Sequence, residues 1–253
     1  MSQLVRKALM GALLTFAVTV AGTGGAGAQG LTPEQSRQVE DMVMRIIKEQ
    51  PRLILDALQD LRRQEEAAAE AKAMAALKQR REEIVKDPSS PIAGNPDGDV
   101  VVVEFFDYNC PYCRAVADRV LETAKKDGKV KVIFREFPIL GQPSVFAARA
   151  ALAAQRQGKY LEFHSALMRL KERLSDAVTL RVAGEVGLDV EKLKKDMALP
   201  EIGRHLDRTL ELAEELQIHG TPAFIVGDVL EPGAIDQARL EAMIADARKK
   251  KGG

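Results

Sequence analysis

Val100-Val101-Val102-Val103-Glu104-Phe105-Phe106-Asp107-Tyr108-Asn109-Cys110-Pro111-Tyr112-Cys113 is the stretch whose reading decides the fold. Apart from Glu104, its first seven residues are β-branched or aromatic, the composition of a strand buried on both faces. Asp107-Tyr108-Asn109 carries turn chemistry. Pro111 suits a first helical turn because its missing N–H has no intrahelical partner to lose. Arg114 to Lys126 then places Val116, Ala117, Val120 and Leu121 at helical spacing, and Val130 to Arg135 reads as a second strand. The prediction is strand, helix, strand, with a Cys-x-x-Cys pair opening the helix, and the crossover rule makes the two strands parallel.

The rest of the chain completes an α/β order. Pro138 to Gln142 reads as loop. Helical patterns follow at Ser144 to Gln157, Tyr160 to Leu170, Ser175 to Gly184, Val190 to Met197 and Glu201 to Leu216. Gly220-Thr221-Pro222 then leads into a strand at Ala223 to Val226. Gly227-Asp228 turns the chain into a short antiparallel edge strand at Val229-Leu230. Ile235 to Lys250 is the last helix, packing through Leu240, Met243 and Ile244. This order, βαβ, a helical block at about 142–217, then ββα, fits a thioredoxin-like core with a helical insertion.

Leu31 to Asp87 contains no glycine and is helical in pattern. Thr32, Pro33 and Gln35 supply a capping box with proline in the first turn. Val39, Met42, Val43, Ile46 and Ile47 form one apolar stripe, Pro51 marks a break, and Leu53, Ile54, Leu58 and Leu61 form a second stripe. Arg62 to Asp87 is mostly Ala, Glu, Lys, Arg and Gln, with Leu77, Ile84 and Val85 as its larger apolar residues. Such thin stripes make no core alone. They pack on the main domain or, the favoured reading, on the same segment of other subunits, with Arg62 to Lys86 as a solvated spacer. Pro88 to Gly98 reads as the loop into the main domain. The expected division is 1–28 signal peptide, 29–90 helical oligomerisation stalk and spacer, and 91–253 catalytic domain.

Met1 to Ala28 has the pattern of a secretory signal: Arg6 and Lys7, an apolar run from Ala8 to Ala21, and a small-x-small cleavage site at Ala26-Gly27-Ala28. The apolar run is short for a membrane span. Lys plus Arg and Asp plus Glu are both 37 in a chain of 253 residues. That balance argues against a nucleic-acid binder. Two cysteines exclude a disulfide-stapled scaffold and a four-cysteine zinc site within one chain. No cofactor or metal is expected.

In an exported chain, a lone Cys-x-x-Cys is a structural disulfide, a soft-metal pair or a reaction centre. Its place at a strand-to-helix junction favours the third. Cys110 is expected at the helix N-terminus facing solvent, where free N–H groups and the helix dipole stabilise a thiolate. Cys113 is expected one turn in and shielded. Glu104, a carboxyl in an apolar strand, either lies beside the cysteines as a proton relay or points to an edge and pairs with a base such as Lys131. In a thioredoxin-like fold Pro222 is cis and sits against the cysteines, leaving the Thr221 backbone to pair with an extended substrate. Tyr112, between the cysteines, tunes the thiolate and touches substrate. His219 approaches the active surface or is solvated, His164 is structural or solvated, and Arg114 is solvated.

Phe105 to Cys113 and Gly220-Thr221-Pro222-Ala223-Phe224 resemble the DsbA-like family of bacterial periplasmic thiol-disulfide oxidoreductases. The resemblance runs from about Gly94 to Ala247. It implies that Cys110 is the nucleophile, that Cys113 resolves the mixed disulfide, that Pro222 is cis, and that Glu104 assists proton transfer. Pro111, Tyr112, Thr221 and Pro222 would contact substrate. Two positions depart from the archetypal oxidase, which has His in place of Tyr112 and Val in place of Thr221; Thr before the cis-proline is similar to the periplasmic isomerases. The N-terminal extension resembles that of trimeric suppressor-of-copper-sensitivity protein C relatives. The implied function is disulfide isomerisation or reduction in the periplasm. The implied partners are disulfide-containing exported proteins, a membrane redox partner and two further copies of the chain. The alternatives are a dithiol oxidase and a copper-binding or holdase protein.

Overall fold

The strand expected at Val100 to Phe106 forms over those residues (β2), because four valines and two phenylalanines have apolar surface to meet on both sides of a sheet. The computed structural model describes residues 31–252; the segment read as a signal peptide lies outside them. In chain order the other elements are α1 (Pro33–Glu49), α2 (Arg52–Gln79), α3 (Arg81–Lys86), β1 (Ile92–Gly94), α4 (Pro111–Asp127), β3 (Val130–Glu136), α5 (Gln142–Gln155) and α6 (Tyr160–Met168). They continue with α7 (Asp176–Glu185), α8 (Val190–Met197), α9 (Pro200–Glu215), β4 (Ala223–Val226), β5 (Val229–Pro232) and α10 (Gln237–Gly252). No helix among the described residues is long and apolar enough to cross a membrane.

The sheet order is β1-β3-β2-β4-β5. β2 and β3 are parallel, with Glu104 opposite Phe134 and Phe106 opposite Glu136; β4 and β5 are antiparallel, as the turn at Gly227-Asp228 requires. Strand alternation sorts the core into two layers. Val100, Val102 and Phe106 face one layer with Val132, Phe134, Val116 and Phe163, whereas Val103 and Phe105 face the other with Ile133, Leu212 and Leu216. The helical insertion, α5 to α9, runs between β3 and β4.

β1 falls inside the segment read as entry loop. It pairs antiparallel with β3, Ile92 opposite Ile133 and Gly94 opposite Lys131. Three residues are too few to show alternation. Gly94, which reads as a turn residue, is required instead by close packing: its φ is +72°, and a Cβ there would lie 2.4 Å from the Val130 carbonyl oxygen.

The chain divides into two units, one ending at Asp60 and one beginning at Leu61. In the first, α1 starts with the expected capping box: Gln35 N–H donates to Thr32 Oγ1 at 3.2 Å, and Thr32 N–H to Gln35 Oε1 at 2.9 Å. Its stripe residues Val39, Met42, Val43, Ile46 and Ile47 are 40–58% exposed.

In the second unit, the charged segment is not a solvated spacer throughout. Ala73, Leu77 and Ile84 are buried, and Leu77 and Ile84 join the layer of Val103, Phe105 and Ile133. Burying Ile84 alone contributes roughly 1.5–3 kcal/mol. The buried Arg135 guanidinium reinforces this with bonds to Asp87 Oδ2 at 2.7 Å and the Glu83 carbonyl at 2.6 Å. The segment's few large apolar side chains are thus its anchors, a role that a thin stripe conceals.

Candidate functional site

α4 begins at Pro111, with Cys110 as its N-cap in extended backbone geometry (φ −79°, ψ 118°) and no side-chain cap bond. Cys110 therefore stands where the first helical N–H groups and the positive end of the dipole emerge. Proline at the first position and the apolar Val116, Ala117 and Val120 one and two turns on explain why a helix starts here. Gly128 in left-handed geometry (φ +72°) ends it.

Cys110 does not face open solvent as expected. It is 4% exposed, and its Sγ lies 3.2 Å from the Thr221 carbonyl oxygen. The reason is tertiary: the loop before β4 covers the helix mouth. The Thr221–Pro222 peptide is cis, in agreement with the thioredoxin-like reading. Cys113 is fully buried, and burial, with smaller contributions from Cys110 and Glu104, pushes its thiol up. Both cysteines are free thiols. Tyr112 is 65% exposed between them.

Glu104 is buried in the same layer. Neither carboxyl oxygen has a hydrogen-bond partner among the described residues, and burial pushes it up to about 8. It forms no ion pair with Lys131, which stands in register with Val101, a residue of the opposite alternation. The edge-and-base alternative is thereby set aside. Beside Pro222 opens a groove of about 210 Å³, lined by His219, Gly220, Thr221, Pro222, Leu230 and Pro232. His219 is exposed on its wall. The structure thus brings Cys110, Cys113, Glu104, Pro111, Tyr112, Thr221 and Pro222 to one region.

Arg114 is half-buried rather than solvated. Its Nε donates to the Tyr108 carbonyl at 2.8 Å and its Nη1 to that of Leu170 at 3.4 Å, tying the cysteine turn to the helical insertion. Asp107 works from the other side: Oδ1 accepts from Asn109 N–H at 2.7 Å and Oδ2 from Leu140 N–H at 2.9 Å. His164 is not solvated but buried, among the rings of Phe106, Phe134 and Tyr160. Burial drives its imidazole down to about 3, so it is neutral.

Glu136 escaped the sequence reading. It closes β3, is buried, and accepts from the hydroxyls of Tyr108 at 3.0 Å and Tyr160 at 2.8 Å. The signal is the one that singles out Glu104, a carboxyl on an apolar strand, but the strand pattern stops at Arg135.

The chain matches the family described as DSBA-like thioredoxin domain over residues 101–245. A thioredoxin-like oxidoreductase from Silicibacter pomeroyi is 49% identical, covering 67% of this chain and 98% of its own, with a TM-score of 0.66. Proteus mirabilis ScsC in a compact conformation is 27% identical, covering 86% of this chain and 100% of its own, with a TM-score of 0.67. A Salinispora tropica protein named Na(+)/H(+) antiporter NhaA 3 is 28% identical over 158 residues, which are 62% of this chain; the chain spans only 24% of that relative's length.

Proposed function

The chain belongs to the DSBA-like thioredoxin domain family, and from that premise we propose that it exchanges disulfides in exported proteins of the periplasm, as an isomerase or reductase. The observation that carries the reading is Cys110 Sγ at the mouth of α4, 3.2 Å from the carbonyl of the residue before a cis-proline.

The steps follow from the geometry. The Cys110 thiolate attacks one sulfur of a client disulfide. A mixed disulfide forms, and the client's other sulfur leaves as a thiolate. In isomerisation, that or another client thiolate attacks the mixed disulfide and regenerates Cys110. In reduction, the Cys113 thiol loses its proton and attacks Cys110 Sγ. The client then leaves with two thiols, and the enzyme holds the Cys110–Cys113 disulfide. Burial makes the Cys113 thiol hard to ionise, so a nearby proton acceptor is needed. Glu104, buried and without a partner among the described residues, takes that proton in the fraction of molecules whose carboxyl, held at about 8, is ionised.

Pro111 and Tyr112 are exposed next to the cysteines, and Thr221 and Pro222 form a groove wall; these four residues contact the client. An extended client segment bonds to the Thr221 backbone and lays its side chains along Leu230 and Pro232. Isomerisation gains from several sites acting on one client. The exposed stripe of α1 supplies a self-association surface, here assigned to a homotrimer. Residues 1–28 are the export signal, 29–90 carry assembly and its link to the second unit, and 91–253 carry catalysis. A membrane-bound thiol reductant returns the oxidised enzyme to the dithiol state.

The test is refolding of scrambled ribonuclease by the full chain and by a chain starting at Leu61, which keeps the Leu77 and Ile84 anchors. Recovery of ribonuclease activity by the full chain alone supports a stalk-dependent isomerase. Thiol oxidation without isomerisation by both chains replaces it with the oxidase reading.

A further inference from the structure

Two phenol hydroxyls converge on one buried oxygen. Glu136 Oε1 accepts from Tyr108 at 3.0 Å and from Tyr160 at 2.8 Å, while Oε2 is buried without a partner among the described residues. The Tyr108 hydroxyl also lies 3.1 Å from His164 Nδ1. The titratable groups around Glu136 are Asp107 and Tyr108 from the turn, Glu104 from β2, and Tyr160 and His164 from α6. None is a cation: the imidazole is neutral, and among the described residues no Lys or Arg pairs with either buried glutamate. Burial, with Asp107 and Glu104 adding to it, holds Glu136 well above the usual carboxylate range. An ionised carboxylate there would be desolvated with no opposite charge, so burial favours the protonated form.

The two phenols differ in where they lead. Tyr160 belongs to α6, in the insertion. Tyr108 stands two residues before Cys110, in the turn that delivers the cysteine. That turn closes through Cys110 N–H donating to the Asp107 carbonyl at 3.0 Å, and the Tyr108 carbonyl accepts from Arg114 Nε at 2.8 Å. Tyr108 is therefore gripped at both ends, by Arg114 at its backbone and by Glu136 at its side chain.

We propose that Glu136 is a positioning residue of the redox centre: its carboxyl holds the Tyr108 hydroxyl and, through it, fixes the turn that sets Cys110 at the mouth of α4. This rests on the thiol-disulfide exchange reading. A carboxylate in that place would hold the phenol as well, but it would put a second negative charge in the layer beneath a reactive thiolate. The protonated group anchors without that repulsion.

The test compares the full chain with its Tyr108→Phe, Tyr160→Phe, Glu136→Leu and Glu136→Gln variants. The readouts are the dithiol–disulfide equilibrium with glutathione and the alkylation rate of Cys110. Each phenylalanine variant removes one hydroxyl from the same oxygen and keeps its ring; Tyr108→Phe also gives up the His164 Nδ1 contact, so the stability loss of each is measured by denaturant unfolding and the redox shifts are compared beside it. Tyr108→Phe is expected to move the equilibrium about fivefold toward the disulfide and to slow alkylation, whereas Tyr160→Phe moves either by less than about twofold. Glu136→Leu is expected to reproduce Tyr108→Phe, and Glu136→Gln, which keeps an acceptor oxygen and no charge, to restore the wild-type equilibrium. Equal shifts from the two phenylalanine variants would reduce Glu136 to a structural role and overturn the proposal. So would a Glu136→Gln variant shifted away from wild type, because the carboxyl's charge would then be the active property. Should Glu136→Leu not fold, the two phenylalanine variants decide alone. A wild-type chain that never equilibrates with glutathione, and is matched by Cys110→Ser, would instead defeat the exchange reading itself.

Discussion

Cys110 Sγ stands 3.2 Å from the Thr221 carbonyl oxygen, across 111 positions of sequence. One residue caps a helix and the other precedes a strand, and a parallel β2–β3 pair with β4 added antiparallel brings the two ends together. The contact ties the reacting sulfur to the backbone edge that a client strand would use.

Glu104 carries a stability cost with a defined pH window. Its carboxyl is held at about 8 in the folded chain, against 4.5 when unperturbed. Below pH 4.5 both states are protonated and nothing is lost. Between 4.5 and 8 the unfolded chain is ionised and the folded one is not, so stability falls by about 1.4 kcal/mol per pH unit. Glu104→Gln is therefore expected to be more stable than wild type at pH 7, by a margin that grows from pH 5 to 8 in denaturant unfolding. The same variant is expected to slow release of the mixed disulfide by Cys113 about 100-fold. A margin independent of pH would contradict the burial account.

Asp87 shows the opposite sign. Burial works against its charge, but the hydroxyl and N–H of Ser89, then the Arg135 guanidinium and Ser90, hold the carboxyl down at about 2. Its contribution is present above pH 3.8 and is lost as pH falls through about 2. Asp87→Asn leaves the buried Arg135 without its counter-charge and is expected to cost about 3 kcal/mol at pH 7. Thermal unfolding measures it. A cost below about 0.5 kcal/mol would mean that Arg135 is held by the Glu83 and Ile84 carbonyls alone.

The α1 stripe predicts a separable assembly defect. Val43→Glu with Ile47→Glu places charge on two side chains 47% and 40% exposed in the single chain. Both lie in the first unit and the cysteines in the second, so thiol exchange with small disulfides is expected to persist. Light scattering is expected to show a loss of mass to the monomer. Unchanged mass would remove α1 from the assembly surface.

What the sequence disclosed followed the range of the physics. β2, the turn and the opening of α4 were legible because strand composition, Asp107-Tyr108-Asn109 and Pro111 act within a few residues. The capping box at Thr32 and Gln35 was legible for the same reason. β1 was not, since three residues become a strand only when β3 is there to pair with them. Leu77 and Ile84 looked like exceptions in a solvated helix, and only the second sheet face reveals them as anchors. The burial of Cys110 depends on a loop more than a hundred residues away. Glu136 and Tyr108 are joined by strand register, which one residue of error in the end of β3 was enough to hide.

The central claim is that Cys110 attacks and Cys113 resolves, and trapping measures it directly. Cys113→Ser expressed as the full chain is expected to accumulate mixed disulfides with exported proteins. Each should be joined through Cys110 and released by reductant, while Cys110→Ser should trap none. Mixed disulfides that survive Cys110→Ser and form at Cys113, or a Cys113→Ser protein that reduces client disulfides as fast as wild type, would contradict the account.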